Sequence, residues 1–233
     1  MAIRSALIHI MTAAALKAAR GLIRDFGEVE QLQVSIKGPG DFVSTADLKA
    51  ERVLKTELQR ARPGWGFLLE EGGATAGEDP RHRWIVDPLD GTTNFLHGLP
   101  FFAISIALER DGEIVAGVVY EPVRDEMFWA EKGAGAFVND RRLRVSARRQ
   151  LSEAVIGTGI PFRGRGNHPT YLATLAVLME ATSGIRRYGS AALDLAYVAA
   201  GRLDAFWEFG LHPCDIAAGL LLVREAGGYA TDF

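Results

Sequence analysis

Apolar residues near the amino end recur at helical spacing. Ile3, Leu7, Ile10, Ala14, Ala18 and Leu22 lie three or four positions apart, which predicts one amphipathic helix with Lys17, Arg20 and Arg24 off the apolar face. His9 and Thr12 interrupt the run, so the segment reads as a surface helix rather than the middle of a secretion signal. No apolar stretch is expected to approach the ~20 residues that a membrane span requires. Lys37-Gly38-Pro39-Gly40 is expected to end this region as a turn. Ser44 or Thr45 then caps a second helix reaching about Arg60, with Leu48, Val53, Leu54 and Leu58 apolar.

The pattern next changes to strands. Trp65 to Glu70 reads as a short strand, Gly72 to Arg81 as a polar loop, and Arg83 to Val86 as a buried strand ending at Asp87. Asp111-Gly112 between Phe102–Glu109 and Glu113–Tyr120 is a hairpin signal. Strands follow over Glu126–Glu131 and Gly135–Val138, with Asn139-Asp140 as a turn. From Ala154 onward strands and helices alternate. They are a strand Ala154–Thr158, a helix His168–Ala181, a Ser190-capped helix to Ala200 stopped by Gly201, a strand Ala205–Glu208, and a helix Pro213–Ala226 closed by Gly227-Gly228. Pro213 suits a first helical turn, which sets Asp215 near a helix amino terminus. The class is α+β. Residues 1–150 form a helix pair with a mostly antiparallel sheet and residues 151–233 an alternating half, both packed as one unit.

Composition narrows the classes of function. The chain has 233 residues, 48% of them apolar, which suits a globular core and excludes a disordered tail, a collagen-like fibre and a coiled coil. Lys plus Arg is 26 against 29 Asp plus Glu, a net charge of −3 that gives no reason to expect nucleic-acid binding as the main activity. Cys214 is the single cysteine, so neither an intrachain disulfide nor a Cys-rich zinc site can form, and the cytoplasm is the simplest compartment.

The richest segment is Trp84-Ile85-Val86-Asp87-Pro88-Leu89-Asp90-Gly91-Thr92-Thr93-Asn94-Phe95. A strand end of this kind can hold two acids and a backbone carbonyl toward one point, and the amides of Gly91 and Thr92 can then face an anion. Taken alone, Asp-x-x-Asp-Gly is better explained by a turn. Glu70-Glu71 at the preceding strand end, Asp47 upstream and Asp215 downstream change the balance, because together they can make one acidic cluster. Carboxylates ~4 Å apart repel by about 4 kcal/mol at an effective dielectric near 20, so such a cluster calls for cations. Oxygen donors without His or Cys at zinc spacing favour magnesium over zinc.

Other phosphate chemistries lack their residues. The chain has no Gly-x-x-x-x-Gly-Lys-Ser/Thr, no Asp-x-Asp at the acidic segment, no Arg six residues after Cys214, and no Gly-x-Ser-x-Gly. Gly157-Thr158-Gly159 and Gly164-Arg165-Gly166 read as loops. His97 and His212 read as packing or capping residues. Arg141, Arg142, Arg144, Arg148 and Arg149 read as a solvated loop and strand edge, and Arg186-Arg187 as facing either a substrate rim or another subunit.

Asp87-Pro88-Leu89-Asp90-Gly91-Thr92-Thr93-Asn94-Phe95 resembles the motif of the inositol monophosphatase family. Asp41-x-Val43-Ser44-x-x-Asp47 and Glu70-Glu71 upstream, and Cys214-Asp215-Ile216-Ala217-Ala218-Gly219 with Glu225-Ala226-Gly227-Gly228 downstream, match further family blocks in order and spacing. The resemblance spans essentially the whole chain. It implies a layered αβαβα fold and a magnesium-dependent, lithium-sensitive phosphatase, commonly dimeric.

It also implies roles. Glu70, Asp87 and the Leu89 carbonyl hold a first magnesium. Asp87, Asp90 and Asp215 hold a second, and a third, weaker ion shares Glu70. Thr92, bonded to Asp47, orients the attacking water beside Glu70, while the amides of Gly91 and Thr92 receive phosphate oxygens. Asp90, Ala191, Glu208 and Asp215 contact substrate. Asn94-Phe95-x-His97-Gly98-x-Pro100 favours inositol 1-phosphate, with fructose 1,6-bisphosphate or another small sugar or nucleotide phosphate as the alternative. A regulatory partner of the transcription machinery is the reading from another class. The resemblance departs at Cys214, where Trp is usual, and at Ser44, where Thr is usual. It departs again after Gly228, where relatives continue with a strand and a helix, so an open sheet edge is expected.

Overall fold

The computed structural model describes residues 4–28, 34–38, 41–161 and 167–232 of the chain. Helix α1 (Ala6–Phe26) starts at Ser5, whose hydroxyl accepts from the Ile8 amide. Its buried residues include Ile8, Met11, Ala14, Ala15, Ala18 and Leu22, while Leu7 and Ile10 are only partly covered. The apolar stripe is therefore rotated from the expected one toward Met11 and Ala15. Thr12 is buried within it because its hydroxyl donates to the Ile8 carbonyl at 2.8 Å. At 21 residues α1 has the length and apolar content of a membrane span, contrary to the expectation that no stretch comes near it. Its buried face here packs on the second helix and a sheet.

Lys37 and Gly38 are not in a turn but in strand β1 (Val34–Gly38), paired antiparallel with β2 (Asp41–Ser44). Pro39, Gly40, Ile3, Gly164-Arg165-Gly166 and Phe233 lie outside the described residues. Helix α2 (Thr45–Ala61) is capped by Ser44, as one of the two expected caps, and Leu48 is exposed.

Strands β3 (Trp65–Leu69), β4 (Gly73–Thr75) and β5 (Asp79–Asp90) follow, then the short helix α3 (Thr92–Leu96). The meander continues through β6 (Ala103–Arg110), β7 (Glu113–Glu121), β8 (Glu126–Glu131), β9 (Gly135–Val138) and β10 (Arg141–Arg142). These eight strands form one sheet in the order β10-β9-β8-β7-β6-β5-β3-β4, antiparallel except for β3 with β5. The Asp111-Gly112 hairpin is present, with φ of 53° and 79° at its two turn residues and Arg110 opposite Glu113. The expected polar loop at Gly72–Arg81 is corrected: it contributes all of β4, which is exposed throughout, and the start of β5. Pairing with β6 extends β5 into a stretch with no apolar signal of its own, His82 lying opposite Arg110.

The rest of the chain supplies β11 (Val155–Thr158), α4 (His168–Ala181), β12 (Gly184–Arg186), α5 (Ala191–Ala199), β13 (Ala205–Trp207) and α6 (Pro213–Glu225). The strands make a parallel sheet in the order β12-β11-β13. One apolar core joins α1 and α2 to one face of the large sheet through Trp84, Val86, Ile104, Ile106 and Val118. A second joins the other face, through Ile85, Ala107, Val119 and Phe128, to α5 and α6. A third packs α4 on the small sheet through Tyr171, Ile156 and Trp207. The layers thus run α, β, α, β, α, as the resemblance implies. The small sheet has β12 and β13 at its edges, and a cavity of 820 Å³ lined in part by Phe206, Trp207, Leu211, Ile216 and Leu220 adjoins β13.

Candidate active site

The site begins where β5 leaves its ladder. Asp87 still pairs opposite Ser105, the register then shifts, and Asp90 pairs opposite Ala103. Pro88 has no N–H to give a ladder, so the break falls where the two acids flank it. The Leu89 amide turns back to donate to Asp87 Oδ1 at 2.9 Å. Gly91 then adopts φ +97°, and a Cβ there would stand 2.8 Å from the Phe101 carbonyl, so the turn into α3 needs glycine twice over.

Parallel pairing brings in the next acid. Leu69 lies opposite Val86, and the Glu70 amide donates to the Val86 carbonyl at 3.1 Å, which sets Glu70 beside Asp87. Behind this turn the Glu51 carboxylate accepts from the Glu71 amide at 2.9 Å and from the Gly72 amide at 3.3 Å. Asp215 arrives on the first turn of α6, where its Oδ2 accepts from the His212 amide at 2.7 Å. His212 is thus a capping residue, as its sequence position suggests.

These four acids act on one another. Burial, then Glu70, Asp90 and Asp215 push Asp87 well above the usual carboxylate range, and it shares a hydrogen bond with Glu70. Asp90 is pushed up to about 8 by burial and Asp215, against the pull of hydrogen bonds from the Ser190 hydroxyl at 2.6 Å and the Ala192 amide at 2.7 Å. The cluster is graded in depth: Asp87 is buried, Asp90 and Asp215 half-buried, and Glu70 exposed. Among the described residues no three His, Cys, Asp or Glu side chains already stand as a finished ligand set. The donors are all hard oxygens whose mutual repulsion a divalent cation would relieve, and they fit magnesium better than zinc.

Asp47 stands at one remove. Its Oδ2 accepts from the Ser44 amide at 2.9 Å and hydroxyl at 2.5 Å, and its Oδ1 from the Thr92 hydroxyl at 2.9 Å. Burial raises its carboxyl despite these bonds. The Thr92 hydroxyl also lies 3.0 Å from the Leu89 carbonyl, so its one proton is shared between two acceptors. Ser44 therefore keeps the hydroxyl function expected at that position.

The remaining expected residues come from the second half. Ala191 is buried at the start of α5, next to the Ala192 amide that holds Asp90. Glu208 follows β13, half-buried, and burial with nearby Asp215 pushes it up to about 7 against the pull of Arg187. Cys214 is buried, and burial with Asp215 and Glu70 pushes its thiol up to about 12, which makes it a packing residue and not a nucleophile. The arginines of the 141–149 segment are exposed away from these acids, and Arg148 pairs with Asp204 at 3.1 Å.

Three further residues, to which the sequence assigns no role in the site, contribute to it. Ser190 was read only as a cap. Asn94 donates to the carbonyls of Phe101 and Tyr188 at 2.7 Å, tying the Gly91 turn to the chain before α5. Asp194 is 1% exposed in an otherwise apolar helix and lies within electrostatic reach of Asp90 and Glu208. A charged residue on the buried face of Ala-Ala-Leu-Asp-Leu-Ala is the signal that was available.

Residues 4–233 match the sequence profile of the Inositol monophosphatase family. The chain belongs to that family. The inositol-1-monophosphatase of Mesorhizobium japonicum is 65% identical over 98% of this chain and 86% of its own length. The protein named Nus factor SuhB in Pseudomonas aeruginosa is 47% identical over 97% of this chain and 85% of its own. The crystal structure of the extragenic suppressor protein suhB from Bartonella henselae superposes with a TM-score of 0.96 at 62% identity, covering 98% of this chain and 88% of that one. As a member of the inositol monophosphatase family this chain is a phosphatase with that family's fold.

Proposed function

We propose that the chain hydrolyses a phosphate monoester of a polyol, inositol 1-phosphate first among them, with Mg2+ and without a covalent intermediate. The observation that carries this reading is Asp87, buried among the carboxylates of Glu70, Asp90 and Asp215. Glu70, Asp87, Asp90, Asp215 and the Leu89 carbonyl would hold two to three ions. Bound there, magnesium supplies a water acidic enough to attack near neutral pH and counter-charge for phosphoryl oxygens. The Thr92 hydroxyl donates a hydrogen bond to Asp47, which leaves its oxygen to accept from a water and would orient that water beside Glu70. The amides of Gly91 and Thr92 offer hydrogen bonds to phosphate oxygens at the start of α3. Asp90, clasped by Ser190 and Ala192, fixes the start of α5, where Ala191 would meet the alcohol part of the substrate, and Glu208, after β13, would meet it as well. The same reading carries lithium sensitivity, a homodimer and a cytoplasmic location.

Phosphate release from inositol 1-phosphate, fructose 1,6-bisphosphate, adenosine 3′,5′-bisphosphate and histidinol phosphate, each with Mg2+, with EDTA and with added Li+, tests it. Mg2+-dependent turnover strongest on inositol 1-phosphate is expected, and silence on all four from folded protein overturns it. The Nus factor name of the 47% identical relative favours a second reading, a regulatory contact with the transcription machinery. Capture of RNA polymerase by Asp90→Asn as well as by wild type would establish that role, and no capture at low salt would remove it.

A further inference from the structure

Of the four acids gathered at the site, Glu70 is the exposed one, and it stands on a loop. Glu70-Glu71-Gly72 links β3 to β4, whose strands meet with Leu69 opposite Gly73. β4 beyond it is exposed throughout, so packing does not hold the far side of this hairpin. A ligand on such a loop keeps its aim only if something outside the loop fixes the backbone.

Glu51 is placed to do that. It lies on α2, is 8% exposed, and its Oε2 accepts from the Glu71 amide at 2.9 Å and the Gly72 amide at 3.3 Å. Those are the two residues that follow Glu70. The Glu70 amide is held from the other direction, donating to the Val86 carbonyl at 3.1 Å. Three consecutive amides of the loop are thus tied to regular elements, β5 on one side and α2 on the other. The second carboxylate oxygen, Oε1, fills the space beside Gly72, where a Cβ would stand 3.0 Å from it and 3.1 Å from Leu69 Cδ1.

The helix also sets where this carboxylate can reach. Glu51 follows Asp47 by four residues, so both leave the same face of α2, and both are buried. One turn of helix therefore meets two segments of the site, Asp47 the Thr92 hydroxyl at 2.9 Å and Glu51 the loop after Glu70. Burying a carboxylate is unfavourable unless it is hydrogen-bonded, and here the bonds come from backbone amides next to an acid of the site.

We propose that Glu51 is a positioning residue for the metal site: by holding the Glu71 and Gly72 amides it fixes the loop from which Glu70 reaches a magnesium ion. This rests on the phosphatase reading above and adds to it a residue outside the metal-holding set. Its effect depends on the reach of its acceptor oxygen and not on its charge, because a neutral amide oxygen in the same place accepts the same two bonds.

The test titrates Mg2+ calorimetrically into wild type, Glu51→Gln, Glu51→Asp and Glu51→Ala, each checked for native circular dichroism. It also measures kcat and KM for inositol 1-phosphate across the same Mg2+ concentrations. Glu51→Gln keeps the acceptor in reach and is expected to bind Mg2+ within about twofold of wild type. Glu51→Asp keeps the charge but is one methylene too short, and Glu51→Ala removes the acceptor. Both are expected to bind Mg2+ about tenfold more weakly. In both, kcat is expected to fall at limiting Mg2+ and to recover as Mg2+ is raised, with KM unchanged, which a general loss of stability would not produce. Glu51→Asp binding as tightly as wild type would overturn the proposal. So would Glu51→Gln binding as weakly as Glu51→Asp, since the charge and not the hydrogen bonds would then be at work. If Glu51→Ala does not fold, the Gln and Asp variants still decide. Wild type that binds no Mg2+ would instead overturn the metal reading on which the proposal rests.

Discussion

Two regions of this molecule bury carboxylates, and they treat the charge in opposite ways. Glu121, at the end of β7, is 0% exposed, accepts from the Tyr197 hydroxyl at 2.9 Å, and pairs with Arg124, whose guanidinium lies over the Phe101 ring. Burial raises its carboxyl, and Tyr197 and Arg124 pull it back. At the end of β5, Asp87 and Asp90 are raised by burial and then chiefly by other carboxylates. The first region neutralises itself; the second keeps a charge imbalance that a divalent cation and a phosphate ester can complete. A buried acid is therefore not by itself a functional sign, and the kind of neighbour decides.

The largest effect should come from Asp90. Asp90→Asn keeps the shape and the bonds to Ser190 and Ala192 within reach, yet removes a charge the cations need. Mg2+-dependent phosphate release is expected to fall by about 10³-fold or more with native circular dichroism retained. Near-normal turnover would show that the acidic region is as self-contained as the other. Arg124→Ala makes the reverse test, leaving Glu121 buried without its cation. Urea unfolding should then show a loss of about 3 kcal/mol, and an unchanged midpoint would remove the contrast.

A smaller effect concerns pH. Asp194 is pushed up to about 8 by burial, Asp90 and Glu208, so the folded chain holds this proton more tightly than the unfolded one. Its contribution favours the folded state at low pH and is lost as pH rises from about 4 toward 8. In EDTA the thermal midpoint should decline over that window, and Asp194→Asn should flatten the decline; an equal slope in both proteins would contradict this. The smallest expected effect is that of Gly159→Ala, whose methyl would displace the Glu208 carboxylate and raise KM for inositol 1-phosphate several-fold. An unchanged KM would detach Glu208 from substrate binding.

Much of this contrast is written in local sequence. Proline between two acids at a strand end, a glycine turn after it, and Pro213 before Asp215 each fix a local conformation, so the acids that the structure gathers were legible one by one. So were the hairpin at Asp111-Gly112 and helix α4, whose boundaries follow from Asn167 and Pro169 at its start. What was not legible depends on a partner strand. β4 is Gly-Ala-Thr and β12 is Gly-Ile-Arg, too short and mixed to show a period, and both exist because β3 and β11 offer them ladders. The polar first third of β5 is a strand for the same reason. Asn94 and Ser190 tie the site together through contacts between halves of the chain, which spacing along one segment does not encode.

The most direct test is a calorimetric titration of Mg2+ into wild type and Asp90→Asn at pH 8, repeated in two buffers of different ionisation enthalpy. Carboxyls held protonated by burial and by one another must release protons when a cation binds. Wild type should bind Mg2+ with a heat that depends on the buffer, and Asp90→Asn should bind at least about tenfold more weakly. No Mg2+ binding by wild type, or equal affinity in the two proteins, would contradict the claim that the acids at the end of β5 are gathered to hold a metal ion.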